Sequence, residues 1–128
     1  MEINLTKFVL SYLATAAWVT VDSDENDDFT DEAKKKAESD CALFIQKVRA
    51  EFGEKKALEL LNTEGKDLEF RAAHDFFLTR NGHGAGFWDN PENYGGQVNA
   101  DKLTEICEEI GEVNCYHIDG EDSMLTMD

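Results

Sequence analysis

The sequence is short of proline, cysteine and base. Pro91 is its one proline, cysteine occurs three times, and 12 Lys and Arg stand against 28 Asp and Glu, a formal net charge of −16 over 128 residues. An odd number of cysteines without a short repeated spacing makes no disulfide framework. Cys41 and Cys107 fall on the apolar stripes of predicted helices, so buried thiols in a reducing compartment are expected. No apolar run approaches the roughly 20 residues of a membrane span. The longest, Phe8 to Val19, is interrupted by Ser11, Tyr12 and Thr15. Lys7 before it and Ala14-Thr15-Ala16 within it imitate a secretory leader, but Glu2 cancels the base. The expectation is a soluble, cytoplasmic chain without membrane contact.

The shortage of bases is local. Asp22, Asp24, Glu25, Asp27, Asp28, Asp31 and Glu32 follow one another with no base between them, and eight more acids follow Lys102, again with none. Among the latter are Glu105, Glu108, Glu109 and Glu112, whereas Ala33 to Lys102 balances 11 bases against 12 acids. Such a surface repels nucleic acid and anionic lipid and attracts basic protein surfaces at long range, so direct DNA or RNA binding is excluded as an expectation.

What is present is enough for one core. A chain of 128 residues, 41% hydrophobic with eight Phe and two Trp, has the size and apolar content of a single domain covering residues 1–128. Asn4 caps a predicted helix through Phe8, Tyr12, Leu13, Ala16 and Val19, ending near Thr20 or Val21. Ala33, Ala37, Cys41, Phe44, Val48 and Phe52 step by three and four along a second helix that starts at Asp28 or Thr30 and stops at Gly53. A third runs from Glu54 to Leu61, closed by Gly65, and another helical turn can follow from Asp67 to Ala73. His74 to Asp89, with Phe76, Phe77 and Leu78 and then Gly82, Gly84 and Gly86, reads as a strand pair with a Gly-rich connection. Asn90 to Gln97 reads as a surface loop. Asn99 caps a last helix along Leu103, Ile106, Cys107 and Ile110, stopped by Gly111, and Val113–Asp119 turns through Asp119-Gly120 into a second hairpin strand, Ser123–Thr126. The expected class is α+β: N-terminal helices on a small antiparallel sheet, with one further helix between two hairpins.

One segment looks chemically specific: His74-Asp75-Phe76-Phe77-Leu78-Thr79-Arg80-Asn81-Gly82-His83-Gly84-Ala85-Gly86-Phe87-Trp88-Asp89. It resembles a run in an uncharacterised family of small bacteriophage-encoded proteins. The resemblance extends to Tyr12-Leu13 and Ala17-Trp18, to the acidic loop, to Asp40-Cys41-Ala42 with Phe44, and to Leu103-Thr104-Glu105, which together span most of the chain. It implies a phage origin, hence the cytoplasm of a bacterial host, and implies no particular activity. Cys115, His117 and the more acidic C-terminal strand depart from the family pattern.

Within that run, His74, Asp75, Arg80 and His83 offer a base, an orienting carboxylate and a cation, the makings of a small catalytic centre. The same residues also suit a hairpin in which glycines supply positive φ and Arg80 pairs with Asp75 or Asp89. No Ser or Cys lies in a nucleophile elbow, and no Lys-Ser/Thr follows the glycines as a phosphate loop requires. A metal site from His74, His83, Cys115, His117 and Asp119 matches no zinc spacing. Asp22, Asp24, Asn26 and Asp28 imitate an EF-hand loop, but Asp27 stands where Gly is needed and Ala33 where a bidentate Glu belongs. No cofactor and no metal are therefore expected, and aromatic Phe87, Trp88 and Tyr94 are expected in the core.

Three functions compete. The first is a non-catalytic binding protein that occupies, and inhibits, a basic surface on a host or defence protein, in the manner of a nucleic-acid mimic. Its contact residues would be Asp22, Asp24, Glu25, Asp27, Asp28, Glu105, Glu108, Glu109 and Glu112, with Arg80, Asn81, His83 and Trp88. The second is a virion or assembly component, and the third the small enzyme.

Overall fold

The computed structural model describes residues 3–20, 28–62, 70–82, 86–118 and 124–127. Helix α1 spans Leu5–Val19, and the Asn4 carboxamide accepts the Lys7 amide at 3.1 Å, as the cap reading requires. Strand β1 is the dipeptide Asp28–Phe29. Helix α2, Asp31–Phe52, opens on the Thr30 hydroxyl accepting Ala33 N at 3.1 Å, with Asp31 and Glu32 in the first turn where the helix dipole favours acids. Gly53, at φ +84°, ends α2 and begins α3, Glu54–Leu61. Helix α4 is Arg71–Arg80, a 3-10 turn covers Pro91–Tyr94, and α5 is Gln97–Ile110. Strands β2, Cys115–Ile118, and β3, Met124–Met127, complete the order.

The α+β class holds, and two finer expectations do not. His74 to Asn81 is no strand: it belongs to α4, which is buried on most of its circumference by Ala72, Ala73, Asp75, Phe76, Phe77, Leu78 and Arg80. A helix surrounded by protein needs no polar face, so its apolar residues run consecutively and imitate a buried strand. The sheet is mixed rather than antiparallel, in the order β1-β3-β2. β3 pairs antiparallel with β2 (Cys115↔Met127, His117↔Leu125) and parallel with β1 (Phe29↔Leu125). The C-terminal hairpin is thus the one found among the described residues, and Asp28–Phe29, at one of the two expected starts of the second helix, contributes the parallel strand. Residue 99 also differs. α5 starts three residues earlier, capped at Gly96, and the Asn99 amide group donates instead to the Tyr94 carbonyl at 2.8 Å. Gly65 and residues 67–69 lie outside the described residues.

One cluster of buried side chains draws on every helix and on β1 and β3. At its centre Phe44 of α2 stacks on Phe76 of α4, centroids 4.2 Å apart, and Phe8 and Phe87 flank the pair. Each such ring contributes roughly 1.5–3 kcal/mol by leaving water. Cys41 and Cys107 are buried free thiols in this cluster, and burial pushes both pKa values up. Phe87 and Tyr94 join it as expected, whereas Trp88 is 45% exposed.

Candidate functional site

α4 carries three of the residues that the catalytic reading brought together, and its geometry separates them. Successive side chains on a helix are about 100° apart, so positions 74, 75 and 80 point in three directions. His74 faces α1, where its Nδ1 lies 2.9 Å from the Thr15 hydroxyl and its ring packs on Trp18 at 5.8 Å. The Thr15 hydroxyl also lies 3.0 Å from the Ser11 carbonyl, and in the tautomer with the proton on His74 Nδ1 it donates there while accepting from the imidazole. Burial lowers the His74 pKa and so does Arg71, while Asp75 opposes them.

Asp75 turns the other way and accepts the Tyr94 hydroxyl at 2.5 Å. Burial raises its pKa against the pull of that hydrogen bond, and the Tyr94 hydroxyl is likewise held well above its usual range by burial and the neighbouring carboxylate.

Arg80 points into the interior. Only 4% exposed, it is neither a surface contact nor a partner of Asp75 or Asp89. Its Nη1 donates to Asp40 Oδ2 at 2.7 Å and to the Tyr12 hydroxyl at 3.0 Å, its Nε donates to the Gly111 carbonyl at 2.8 Å, and its guanidinium lies over Phe76. Burial opposes the charge, but Tyr12 and Asp40 outweigh it and the pKa rises. One buried cation thus joins α1, α2, α4 and the end of α5. Asn81 extends this brace by donating to the Phe77 carbonyl and accepting the Val113 amide at 2.9 Å. Asp40 and Tyr12 were missed as partners of Arg80. The available signal was an acid at position 40, beside the apolar stripe of α2, which needs a cation if it is buried.

His83 lies outside the described residues, as do Asp22, Asp24, Glu25, Asp27 and the EF-hand position Asn26, together with Asp119. Among the described residues no three His, Cys, Asp or Glu side chains come together as metal ligands. The Cys115 thiol, which the metal reading had used, accepts the Thr20 hydroxyl at 3.2 Å.

The acids of α5 stand apart from this interior. Ala100, Leu103, Ile106 and Cys107 are buried, and Asp101, Glu105, Glu108 and Glu109 occupy the exposed face, with Glu112 just past the Gly111 cap. Glu109 reaches Lys47 at 3.2 Å. The last turn of α5 contains no base, so Glu108 and Glu109 sit at the end where the helix dipole disfavours negative charge. Asp28 is also exposed and lies 3.6 Å from Lys34.

The class so defined is a helix-rich α+β protein with a buried ionic brace and an acidic helix face. No helix among the described residues is long and apolar enough to cross a membrane. No family model, no curated protein and no solved structure gives a significant match to this chain.

Proposed function

We propose that this chain is a non-catalytic binding protein, of the bacteriophage kind that its 74–89 run resembles, which docks its acidic face on a basic surface of a host or defence protein and blocks it. The observation that carries the reading is the placement of acids at the C-terminal end of α5. Each acid there costs about 0.3–1 kcal/mol against the helix dipole. Glu109 offsets that cost through Lys47, but Glu108 has no ion pair among the described residues, and a local rule broken without structural gain is the mark of a residue kept for another purpose. The divergence of His74, Asp75 and Arg80 around α4 speaks against the enzyme.

Duplex mimicry is the narrower version of the reading, and charge spacing limits it. Asp101, Glu105 and Glu108 put one carboxylate on α5 every ~5 Å, against one phosphate every ~3.4 Å along a DNA strand. α5 alone is therefore a sparse imitation, and a mimic would need the acids of residues 22–28 as a second row. Affinity capture of the tagged chain from bacterial lysate, at low and at high salt with mass spectrometry of the retained proteins, tests the reading. A saturable partner with a basic surface, released at high salt, supports it. Failure to retain any saturable partner removes it.

A further inference from the structure

At the corner where α2 passes into α3 this acidic chain turns basic. Residues 47–56 hold four bases, Lys47, Arg49, Lys55 and Lys56, against two acids, Glu51 and Glu54, in a sequence with 28 acids and 12 bases. Gly53, at φ +84°, turns the chain there. The bend leaves a cleft of about 430 Å³ walled by Phe52, Gly53, Glu54, Lys55, Lys56 and Glu59. Lys102 approaches from α5, its ammonium 5.8 Å from the centre of the Phe52 ring, and the Lys56 ammonium lies 5.5 Å from the same point. Lys47 and Lys102 are already paired, with Glu109 at 3.2 Å and Glu51 at 3.3 Å. Lys55 and Lys56 differ. Among the described residues neither stands in an ion pair, although Glu54 and Glu59 line the same cleft.

We infer that this cleft binds a small, multiply charged anion of the phosphate class through the Lys55 and Lys56 ammonium groups, with Lys102 as the neighbouring cation. Each ammonium brings three donors, and a phosphate oxygen cluster is an acceptor that several of them can share. The contact with Phe52 keeps Lys56 at the cleft without consuming those donors. Lys56 and Lys102 also repel one another across the one ring, and a bound anion relieves that repulsion. The volume lies in the range of small-molecule sites. At ~0.15 M ionic strength charges beyond ~8 Å are largely screened, so a small anion meets the sign of the corner and not that of the whole chain. A nucleic-acid strand is longer than that distance and meets the acids beyond it, which limits the ligand to a small molecule. The inference is independent of the acidic-face reading, because it uses the bases of the α2–α3 corner and none of the α5 acids.

Titration of the nitrogen-15-labelled chain with pyrophosphate at constant ionic strength, followed by its amide resonances, tests it. The expected result is a saturable shift centred on residues 52–56. Lys55→Gln/Lys56→Gln, exposed changes that leave the circular dichroism spectrum as it was, weaken binding by about tenfold or more. Lys34→Gln/Lys35→Gln removes the same charge from the opposite end of α2 and leaves binding unchanged. Glu54→Gln takes a like charge out of the cleft wall and tightens it. ADP as a second probe separates the sources of the group: equal affinity assigns the site to diphosphate itself, and tighter binding of ADP assigns it to a nucleotide. No saturable shift with either probe overturns the inference. Binding that the Lys55→Gln/Lys56→Gln variant retains overturns it too, as does binding that the Lys34→Gln/Lys35→Gln variant loses equally.

Discussion

Replacing Asp40 by Ala leaves the Arg80 guanidinium buried without its carboxylate. Arg80 is 4% and Asp40 6% exposed, and no solvent can replace the 2.7 Å contact without opening the junction of α2 and α4. Removing one partner of a buried ion pair costs about 3–5 kcal/mol, because the remaining charge keeps its desolvation penalty. The Tyr12 hydroxyl and the Gly111 carbonyl still accept from Arg80 and hold the cost within that range. Arg80→Met strands Asp40 less completely, since Lys36 stays 3.3 Å from it, but frees Tyr12 and Gly111 of their donor. The double variant Asp40→Leu/Arg80→Met strands no charge and costs less than the two single changes together, with a coupling of about 2 kcal/mol or more. Urea unfolding of the parent, the two single variants and the double variant, followed by far-UV circular dichroism, gives the coupling directly. Additivity within about 0.5 kcal/mol would refute the brace.

Four further outcomes follow from the same contacts. Gly86, at φ +146°, has Thr79 against it, so an added Cβ would collide with the Thr79 hydroxyl. Gly86→Ala therefore costs about 2–4 kcal/mol by thermal melting, and Gly82→Ala, in open space, about 1 kcal/mol. Tyr94→Phe leaves the Asp75 carboxylate without its donor and costs about 1–3 kcal/mol at neutral pH, and less in acid, where Asp75 takes up a proton and no longer carries a buried charge. His74 has a lowered folded pKa, so the unfolded chain binds the proton more readily: stability is complete above about pH 6.5 and declines as pH falls from there towards the folded value. His74→Gln removes that slope from a series of urea midpoints. Finally, Glu108→Gln raises stability by about 0.3–1 kcal/mol while weakening partner capture, the opposite signs expected of a residue kept for binding.

How much of this was legible in the sequence varied with how each element meets solvent. α1, α2, α3 and the end of α5 could be read because Asn4, Thr30, Gly53 and Gly111 mark their boundaries and apolar residues recur at helical spacing within them, and the C-terminal hairpin because its residues alternate. α4 could not, because burial on most sides erases the alternation on which such reading depends. That one misreading also misplaced the candidate site. Sequence alone groups His74, Asp75 and Arg80 by their closeness in the chain, whereas on the helix they point to Trp18, Tyr94 and Asp40. The partners of Arg80 were out of reach for a different reason. Tyr12 and Asp40 are 68 and 40 residues away in the chain, and no local pattern encodes which distant carboxylate a buried guanidinium meets. The acidic face needed no structure to be seen, but its placement against the dipole of α5 did.

If the acids of α5 form a binding surface, their position matters and not net charge alone. Glu105→Gln/Glu108→Gln/Glu112→Gln and a control that removes the same charge from exposed positions elsewhere, Glu38→Gln/Glu54→Gln/Glu92→Gln, are compared for capture of bacterial proteins at low salt. Loss of the saturable partner from the first variant and its retention by the second is the predicted result. Equal retention by both, or equal loss, would contradict it, because the α5 acids would then do no more than any other charge on the surface.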